Sequence, residues 1–121
     1  MSARVLVVDE LPVNRQLVCD ILEFRGHRIA AAASVDEGRE QLRLARPDIV
    51  LVDLQMPGEG GEVLLQEIRA DESLRDLPVI AVTAFATEAD SGRLVKAGFD
   101  GLVTKPIDTR AFGPTIESFL R

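Results

Sequence analysis

The chain has 121 residues, of which 46% are hydrophobic and 28% are charged, and its formal net charge is −6 at pH 7. This length fits one domain with its own core and is too short for two. The acidic balance argues against binding to nucleic acid or to an anionic membrane surface. No apolar run approaches the roughly 20 residues of a membrane-spanning helix, and no signal peptide is recognised. The cytoplasm is therefore the expected compartment, and the single cysteine, Cys19, is expected to lie in the core.

Strand and helix signals alternate along the chain from its first residues to its last. Strands are predicted from short apolar or β-branched runs at 4–8, 28–32, 49–52, 78–82 and 101–104. Helices are predicted from Pro12 to Gly26, from the Ser34–Glu37 capping box to about Ala45, over 61–70, from 87 to Gly98, and onward from a cap at Asp108. The chain therefore reads as five successive βα units.

The first, third and fourth strand signals are continuous apolar runs, which is typical of strands covered on both faces. Alternating βα units favour a parallel sheet with right-handed crossovers and helices on both sides. The chain is too short for a closed eight-stranded barrel. The predicted fold class is therefore an α/β, doubly wound, open parallel sheet of five strands.

Chemically distinctive residues stand where the predicted strands end. Asp9 and Glu10 follow the first strand, Asp53 ends the third, Thr83 follows the fourth, and Lys105 follows the fifth. Each could be an ordinary turn or surface residue, but the chain has only two lysines against twelve arginines. In a doubly wound sheet, ligands bind beyond the carboxyl ends of the strands. The sequence therefore predicts a functional site at this edge.

The chemistry open to this group of side chains is limited. Three neighbouring carboxylates repel one another, and a Mg²⁺ ion with oxygen ligands relieves that repulsion. A carboxylate can also attack a phosphoryl group, in which case cationic and hydroxyl groups must neutralise the phosphoryl oxygens. Asp53 as nucleophile, Asp9 and Glu10 on the metal, and Lys105 with Thr83 on the oxygens supply that set. No glycine motif for binding a nucleotide is present.

Four segments, "VLVVDE", "DIVLVDLQMPGEGG", "PVIAVTA" and "GLVTKPI", resemble the receiver domain of two-component response regulators. The resemblance spans about Arg4 to Leu120, so residues 1–121 are expected to form one receiver domain. It implies a flavodoxin-like (βα)5 fold with strand order 2-1-3-4-5. "VTAFA", the pair Asn14–Arg15 and the lack of an output domain further resemble single-domain chemotaxis and cell-division regulators and the receivers of hybrid kinases.

The resemblance also implies a role for each site residue. Asp53 would be the phospho-acceptor, and the Mg²⁺ or Mn²⁺ ligands would be Asp9, Glu10, Asp53 and the backbone carbonyl of Gln55. The phosphoryl group would be bound by Thr83, Lys105 and the backbone of Ala84, with Lys105–Pro106 expected to be a cis peptide.

The implied partners are a histidine kinase or histidine phosphotransfer domain, which donates the phosphoryl group, and a downstream protein target. Mg²⁺-dependent phosphorylation would change partner binding, in a phosphorelay protein that is a switch and not a turnover enzyme. An apolar landing surface for the donor is predicted at Leu11, Pro12, Val13, Pro106 and Ile107.

Three positions depart from the family pattern. Glu10 stands where Asp is commoner, which could move it to an outer metal contact, and Gly60 stands where an Asp often precedes the glycine. Leu102 occupies the position of the usual aromatic switch residue, so the common threonine–aromatic switch cannot operate here. Phe85, two residues past Thr83, is the predicted substitute, either within the switch or as a shield for the phosphoryl group.

Two other functions compete with this interpretation. The alternative is a receiver-like interaction module that is not phosphorylated, which only Glu10 and Leu102 favour. An aspartyl-phosphate hydrolase is disfavoured because Gln55 stands where that class has a second aspartate. The only histidine, His27, is predicted to lie on the surface away from the acidic edge, as neither a phosphodonor nor a metal ligand.

Overall fold

The computed structural model describes residues 2–54, 60–84 and 88–120. The strands are β1 (Arg4–Val8), β2 (Arg28–Ala32), β3 (Ile49–Asp53), β4 (Val79–Thr83) and β5 (Gly101–Thr104). The helices are α1 (Pro12–Phe24), α2 (Val35–Leu44), α3 (Gly60–Ala70), α4 (Glu88–Ala97) and α5 (Phe112–Glu117). All strand pairs are parallel, in the order β2-β1-β3-β4-β5. The predicted fold class and strand order are confirmed.

The sheet separates two apolar cores because successive strand residues point to opposite faces. Leu6 and Val8 pack with side chains of α2, α3 and α4 on one face. Val5 and Val7 pack with side chains of α1 and α5 on the other. Every residue of β3 and β4 is buried, as their continuous apolar sequences indicate. Cys19 lies in the second core, as predicted.

The edge strand β2 differs from the inner strands in sequence and burial. Its sequence is RIAAA, and only Ala32 is fully buried. Three consecutive alanines leave little side-chain volume between the sheet and the adjacent helices. The strand nevertheless forms over the predicted residues 28–32, because β1 supplies a complete parallel partner.

The helix starts test the predicted caps. Ser34 Oγ accepts the N–H of Glu37 at 3.1 Å, so the predicted cap of α2 is confirmed. Asp108 instead caps a turn, accepting the N–H groups of Arg110 and Ala111 at 3.0 and 3.2 Å. Helix α5 begins only at Phe112 and has six residues. The predicted start at Asp108 is therefore wrong by about one turn.

The prediction that His27 lies on the surface is wrong, because this side chain is buried. Its predicted place away from the acidic edge is confirmed, since it lies at the amino-terminal edge of the sheet, where the strands begin. Its Nδ1 accepts the N–H of Ala3 at 3.0 Å, so the ring proton resides on Nε2, which donates to Glu117 Oε2 at 2.8 Å. Arg25 also donates to the Glu117 carboxylate, at 2.6 and 2.7 Å. These hydrogen bonds, with that from Arg25 the largest effect, lower the pKa of Glu117 to about 2.

The membrane prediction can be compared with helix length and hydropathy. In the described ranges, none of the helices combines the length and the apolar character required to cross a bilayer. The longest, α1, has 13 residues.

Candidate functional site

Four predicted site residues lie together at the carboxyl-terminal edge of the sheet, where the strands end. Asp53 and Thr83 are the last residues of β3 and β4, and Asp9 directly follows β1. All three side chains are buried. Lys105 follows β5, and its N–H donates to the carbonyl of Thr83 at 2.9 Å. Since parallel strands end at the same edge, residues far apart in sequence meet here.

Asp53 and Lys105 form an ion pair across the end of β4. The Nζ of Lys105 lies 2.6 Å from Asp53 Oδ2. The side chains are 14% and 3% exposed for Lys105 and Asp53, respectively, so the pair is screened from solvent. The Lys105–Pro106 peptide is cis, as predicted. The lysine therefore places its positive charge on the carboxylate that was predicted to be the acceptor.

Asp9 lies beside Asp53 and is held by its own neighbours. Its Oδ1 accepts the N–H of Leu11 at 2.9 Å, and its Oδ2 accepts a hydrogen bond from Asn14. Arg15 donates to its backbone carbonyl at 2.7 Å. Burial raises the pKa of Asp9 above its ordinary value, and the charge of Asp53 adds to the rise. Hydrogen bonds from Asn14 and Leu11 oppose that rise.

The contact between Asn14 and Asp9 is one that the sequence predictions missed. The pair Asn14–Arg15 contributed only to the family resemblance, although it occupies the first turn of α1, next to the end of β1. A polar pair in that place is a usable signal, because the first turn of this helix must lie beside the strand end that precedes it. Asn14 and Arg15 thus fix the carboxylate and the backbone of Asp9.

The donor set fits a hard divalent cation. Asp9 and Asp53 are two buried carboxylates close enough for the charge of one to act on the other. Mg²⁺ typically takes one or two carboxylates and keeps several waters. Glu10 is exposed, and across residues 2–54, 60–84 and 88–120 no cluster of three acidic, histidine or cysteine side chains could hold a metal. The metal role of Glu10 stays a prediction, and Gln55 lies outside the described residues.

Of the other predicted switch and phosphoryl-binding residues, the structure describes Leu102 and Ala84. Leu102 is half-buried and packs against the core on the α3 and α4 face. Ala84 is exposed directly after β4, and Phe85 lies outside the described residues. Phe99 is buried in the core against which Leu102 packs.

The predicted landing surface is largely accessible. Leu11 and Val13 are 51% and 84% exposed beside Asp9. Pro12 and Pro106 are exposed, whereas Ile107 is half-buried against the core on the α1 and α5 face. Leu17, one turn after Val13, extends the exposed apolar surface along α1. This exposed apolar surface lies beside Asp9.

The fold, the buried acidic pair and the lysine that contacts it define a receiver domain, and the comparison with known families agrees. Residues 5–117 match the family described as the response regulator receiver domain. The chain belongs to this family and is a response regulator of two-component signalling. Members of the family signal by phosphorylation, generally bind Mg²⁺ at the acidic pocket, and interact with kinases and downstream targets.

Several individual proteins are similar to this chain over nearly its whole length. The chain is 37% identical to the polar-differentiation response regulator DivK of Brucella ovis, with 99% of this chain and 98% of DivK covered. The receiver domain of a signal transduction histidine kinase from Syntrophus aciditrophicus has a TM-score of 0.86 and 27% identity, covering 98% of this chain and 89% of that one. Chemotaxis protein CheY4 of Vibrio cholerae has a TM-score of 0.92 at 24% identity, covering 99% and 100%, which shows the shared fold.

Proposed function

We propose that this chain is a phosphorylated switch in which Asp53 accepts a phosphoryl group from a phosphohistidine of a histidine kinase or phosphotransfer domain. The observation that carries the proposal is the buried Asp53 carboxylate, 2.6 Å from the Lys105 ammonium and adjacent to Asp9. A structural aspartate at a strand end would need neither a lysine in contact with it nor a second buried carboxylate beside it. The chain acts as a switch in the cytoplasm, and not as a turnover enzyme.

The transfer is a displacement at phosphorus. A carboxylate oxygen of Asp53 attacks the phosphorus, and the bond from phosphorus to the histidine nitrogen breaks. That nitrogen retains the bonding electron pair, and because the other ring nitrogen of the phosphohistidine carries a proton, the leaving group is a neutral imidazole. A bound Mg²⁺, held by Asp9, Asp53 and, as predicted, Glu10 and the carbonyl of Gln55, would neutralise phosphoryl oxygens.

Lys105 and Thr83 complete the charge balance at the transferred group. Lys105 already contacts Asp53 through Oδ2, so its ammonium can move by a short distance onto a phosphoryl oxygen. The Thr83 hydroxyl at the end of β4 is a donor for a second phosphoryl oxygen, with the backbone N–H of Ala84 beside it. These groups stabilise charge that the unphosphorylated site lacks, so phosphorylation can change their positions and thereby partner binding.

Phosphorelay partners would approach over the apolar surface beside the site. Leu11 and Val13 lie next to Asp9, and Pro106 follows Lys105 on the opposite side. A donor domain that covers this surface brings its phosphohistidine to Asp53 and excludes water from the transfer. Downstream protein targets would then distinguish the phosphorylated from the unphosphorylated form.

Because Leu102 stands at the position of the usual aromatic residue, the conformational switch of this protein must differ from the common threonine–aromatic switch. Leu102 already packs against the core, so no aromatic ring at this position can turn inward when Thr83 moves. We expect Phe85 to contribute to the switch or to shield the phosphoryl group. Replacing Phe85 by Ala should then shorten the lifetime of the phosphorylated protein, measured by intact mass over time. An unchanged lifetime would show that Phe85 does not shield the phosphoryl group.

The proposed function is tested by intact mass after incubation with acetyl phosphate, with and without Mg²⁺. We expect a single Mg²⁺-dependent phosphoryl adduct in the wild type and in Asp20→Asn, and none in Asp53→Asn. Asp20 is a matched control because it is exposed on α1, where it accepts a hydrogen bond from Gln16. No adduct from acetyl phosphate or from a kinase donor, in a folded protein, would instead favour the unphosphorylated interaction module.

A further inference from the structure

A second cavity lies at the opposite edge of the sheet, between the end of α2 and the first residues of β1 and β2. Its volume is about 290 Å³, close to the lower end of the roughly 300–1,000 Å³ typical of small-molecule pockets. The lining is mainly apolar. Leu6, Ala30 and Pro47 are buried or half-buried, whereas Arg4 and Arg28 lie at its more exposed side.

Two of the residues that line the cavity are alanines, which leave space unfilled. Ala30 on β2 is in register with Leu6 on β1, and both point to the α2 face. Ala45, which directly follows α2, lies on the other side of the cavity. A larger residue at either alanine would fill this space with a side chain of the protein. The sequence instead leaves an apolar cleft beneath the last turn of α2.

Two arginines border this cleft side by side. Arg4 and Arg28 are register partners on adjacent parallel strands, so their side chains leave the sheet on the same face. Within the described part of the chain, neither guanidinium has a hydrogen bond or an ion pair. Two guanidinium groups on the same face, without a carboxylate partner among the described residues, offer N–H donors and positive charge to an anion.

The Asp48 carboxylate limits the charge of an anion that could bind between Arg4 and Arg28. Its carboxylate accepts the backbone N–H of Arg4 at 2.8 Å and forms no ion pair with either guanidinium. The negative charge of Asp48 near the arginines penalises a dianion more than a monoanion. Guanidinium groups bind carboxylates through paired N–H donors, and the apolar lining requires an apolar body on the ligand.

We propose that this cleft binds a small amphipathic carboxylate, with its carboxylate between Arg4 and Arg28 and its alkyl or aryl part against Leu6, Ala30 and Pro47. The ligand is a free small molecule, because the cavity is concave and has the volume of a small-molecule site. The site is separate from the proposed phosphorylation site, since it lies where the strands begin and Asp53 lies where they end.

The test is a ¹H–¹⁵N NMR titration of the full chain with sodium hexanoate as the probe. We expect saturable shifts confined to the amides around the cleft, including those of Leu6, Ile29, Ala30 and Ala45. Acetate, which lacks the chain, and hexan-1-ol, which lacks the charge, should each bind at least tenfold more weakly. Equal binding of hexan-1-ol, tighter binding of hexyl phosphate than of hexanoate, or no saturable shift at these amides would overturn the proposal.

Two double variants test whether hexanoate binding depends on Arg4 and Arg28 themselves or only on the net charge of the protein. Arg4→Gln with Arg28→Gln should weaken hexanoate binding at least tenfold. Arg75→Gln with Arg110→Gln removes the same charge from two exposed arginines and should change the affinity less than twofold. Retained affinity in the first pair, or an equal loss in the second, would overturn the proposal. The comparison among hexanoate, acetate and hexan-1-ol needs no variant and decides the matter should Arg4→Gln fail to fold.

Discussion

Two carboxyl groups, those of Asp9 and Asp53, are nearly inaccessible to solvent at the carboxyl-terminal edge of the sheet. Burial and the neighbouring charge of Asp53 raise the pKa of Asp9, which means that its ionised form is less stable in the folded chain than in water. The positive charge of Lys105 balances the negative charge of Asp53 but not that of Asp9. The proposed site therefore lowers the stability of the fold when no divalent cation is bound.

The loss of folding stability caused by the Asp9 carboxylate can be measured with Asp9→Asn in the absence of divalent cations. The amide keeps an oxygen that can accept the N–H of Leu11, and the Asn14 amide can turn so that its oxygen accepts from the new NH2 group. Because the repulsion with Asp53 is removed, we expect the free energy of unfolding to rise by about 1 kcal/mol. Urea unfolding at pH 7 measures it. Asp48→Asn, an exposed control, should change stability by less than about 0.5 kcal/mol. A less stable Asp9→Asn protein would contradict the argument.

Glu117 shows the opposite behaviour, because its partners favour the ionised form. Its folded pKa of about 2 lies below the ordinary value of 4.5, so the stability it contributes is present above about pH 4.5 and is lost as the pH falls towards 2. We expect wild type to lose about 1 kcal/mol more than Glu117→Gln between pH 6 and pH 3, a figure reduced for solvent screening. Thermal unfolding across this range measures the difference, and parallel curves would contradict the assignment.

At the scale of secondary structure, the strands were predictable and one helix was not. Continuous apolar runs placed β3 and β4 within one residue, because both of their faces are covered. Helix α5 has the sequence FGPTIE, in which glycine and proline are poor helix formers. At Gly113 a Cβ would overlap the Arg25 side chain, which would then have to move from the position in which it reaches Glu117. Such a contact between residues about 90 apart is not visible in a local pattern.

The cap of α2 is a local feature that the sequence predicted and whose energy can be tested. Ser34→Ala removes the oxygen that accepts the Glu37 N–H, and we expect a loss of about 1 kcal/mol in the free energy of unfolding. Chemical denaturation monitored by circular dichroism measures this loss. Thr109→Ala is the matched control, because Thr109 is exposed in a turn and should cost less than about 0.5 kcal/mol.

At the scale of the whole molecule, the site was more predictable than the packing. Alternating βα signals place every strand end at one edge, so Asp9, Asp53, Thr83 and Lys105 had to meet there whatever the details of the core. His27 could not be placed in the same way. Its burial depends on Ala3 and Glu117, which lie 24 and 90 residues away and carry no local signal.

The order of the strands also predicts where the fold opens first. Strands β3 and β4 are paired on both sides and fully buried, whereas β2 and β5 are edges. We expect the amides of Val50, Leu51 and Val52 to exchange with solvent only through global unfolding. Amides of β2 should exchange roughly tenfold faster or more. Hydrogen exchange measured by NMR tests the order, and equal rates in β2 and β3 would contradict it.

The His27–Glu117–Arg25 cluster and the proposed phosphoryl site occupy opposite edges of one rigid sheet. Engineering can use this separation. Substitutions at the amino-terminal edge should adjust how long the domain survives heat or acid while leaving the reacting groups in place, since additive effects are expected for distant sites. A thermostable version built for use as a sensor would therefore begin from that edge, and the natural side chains around Asp53 would be retained.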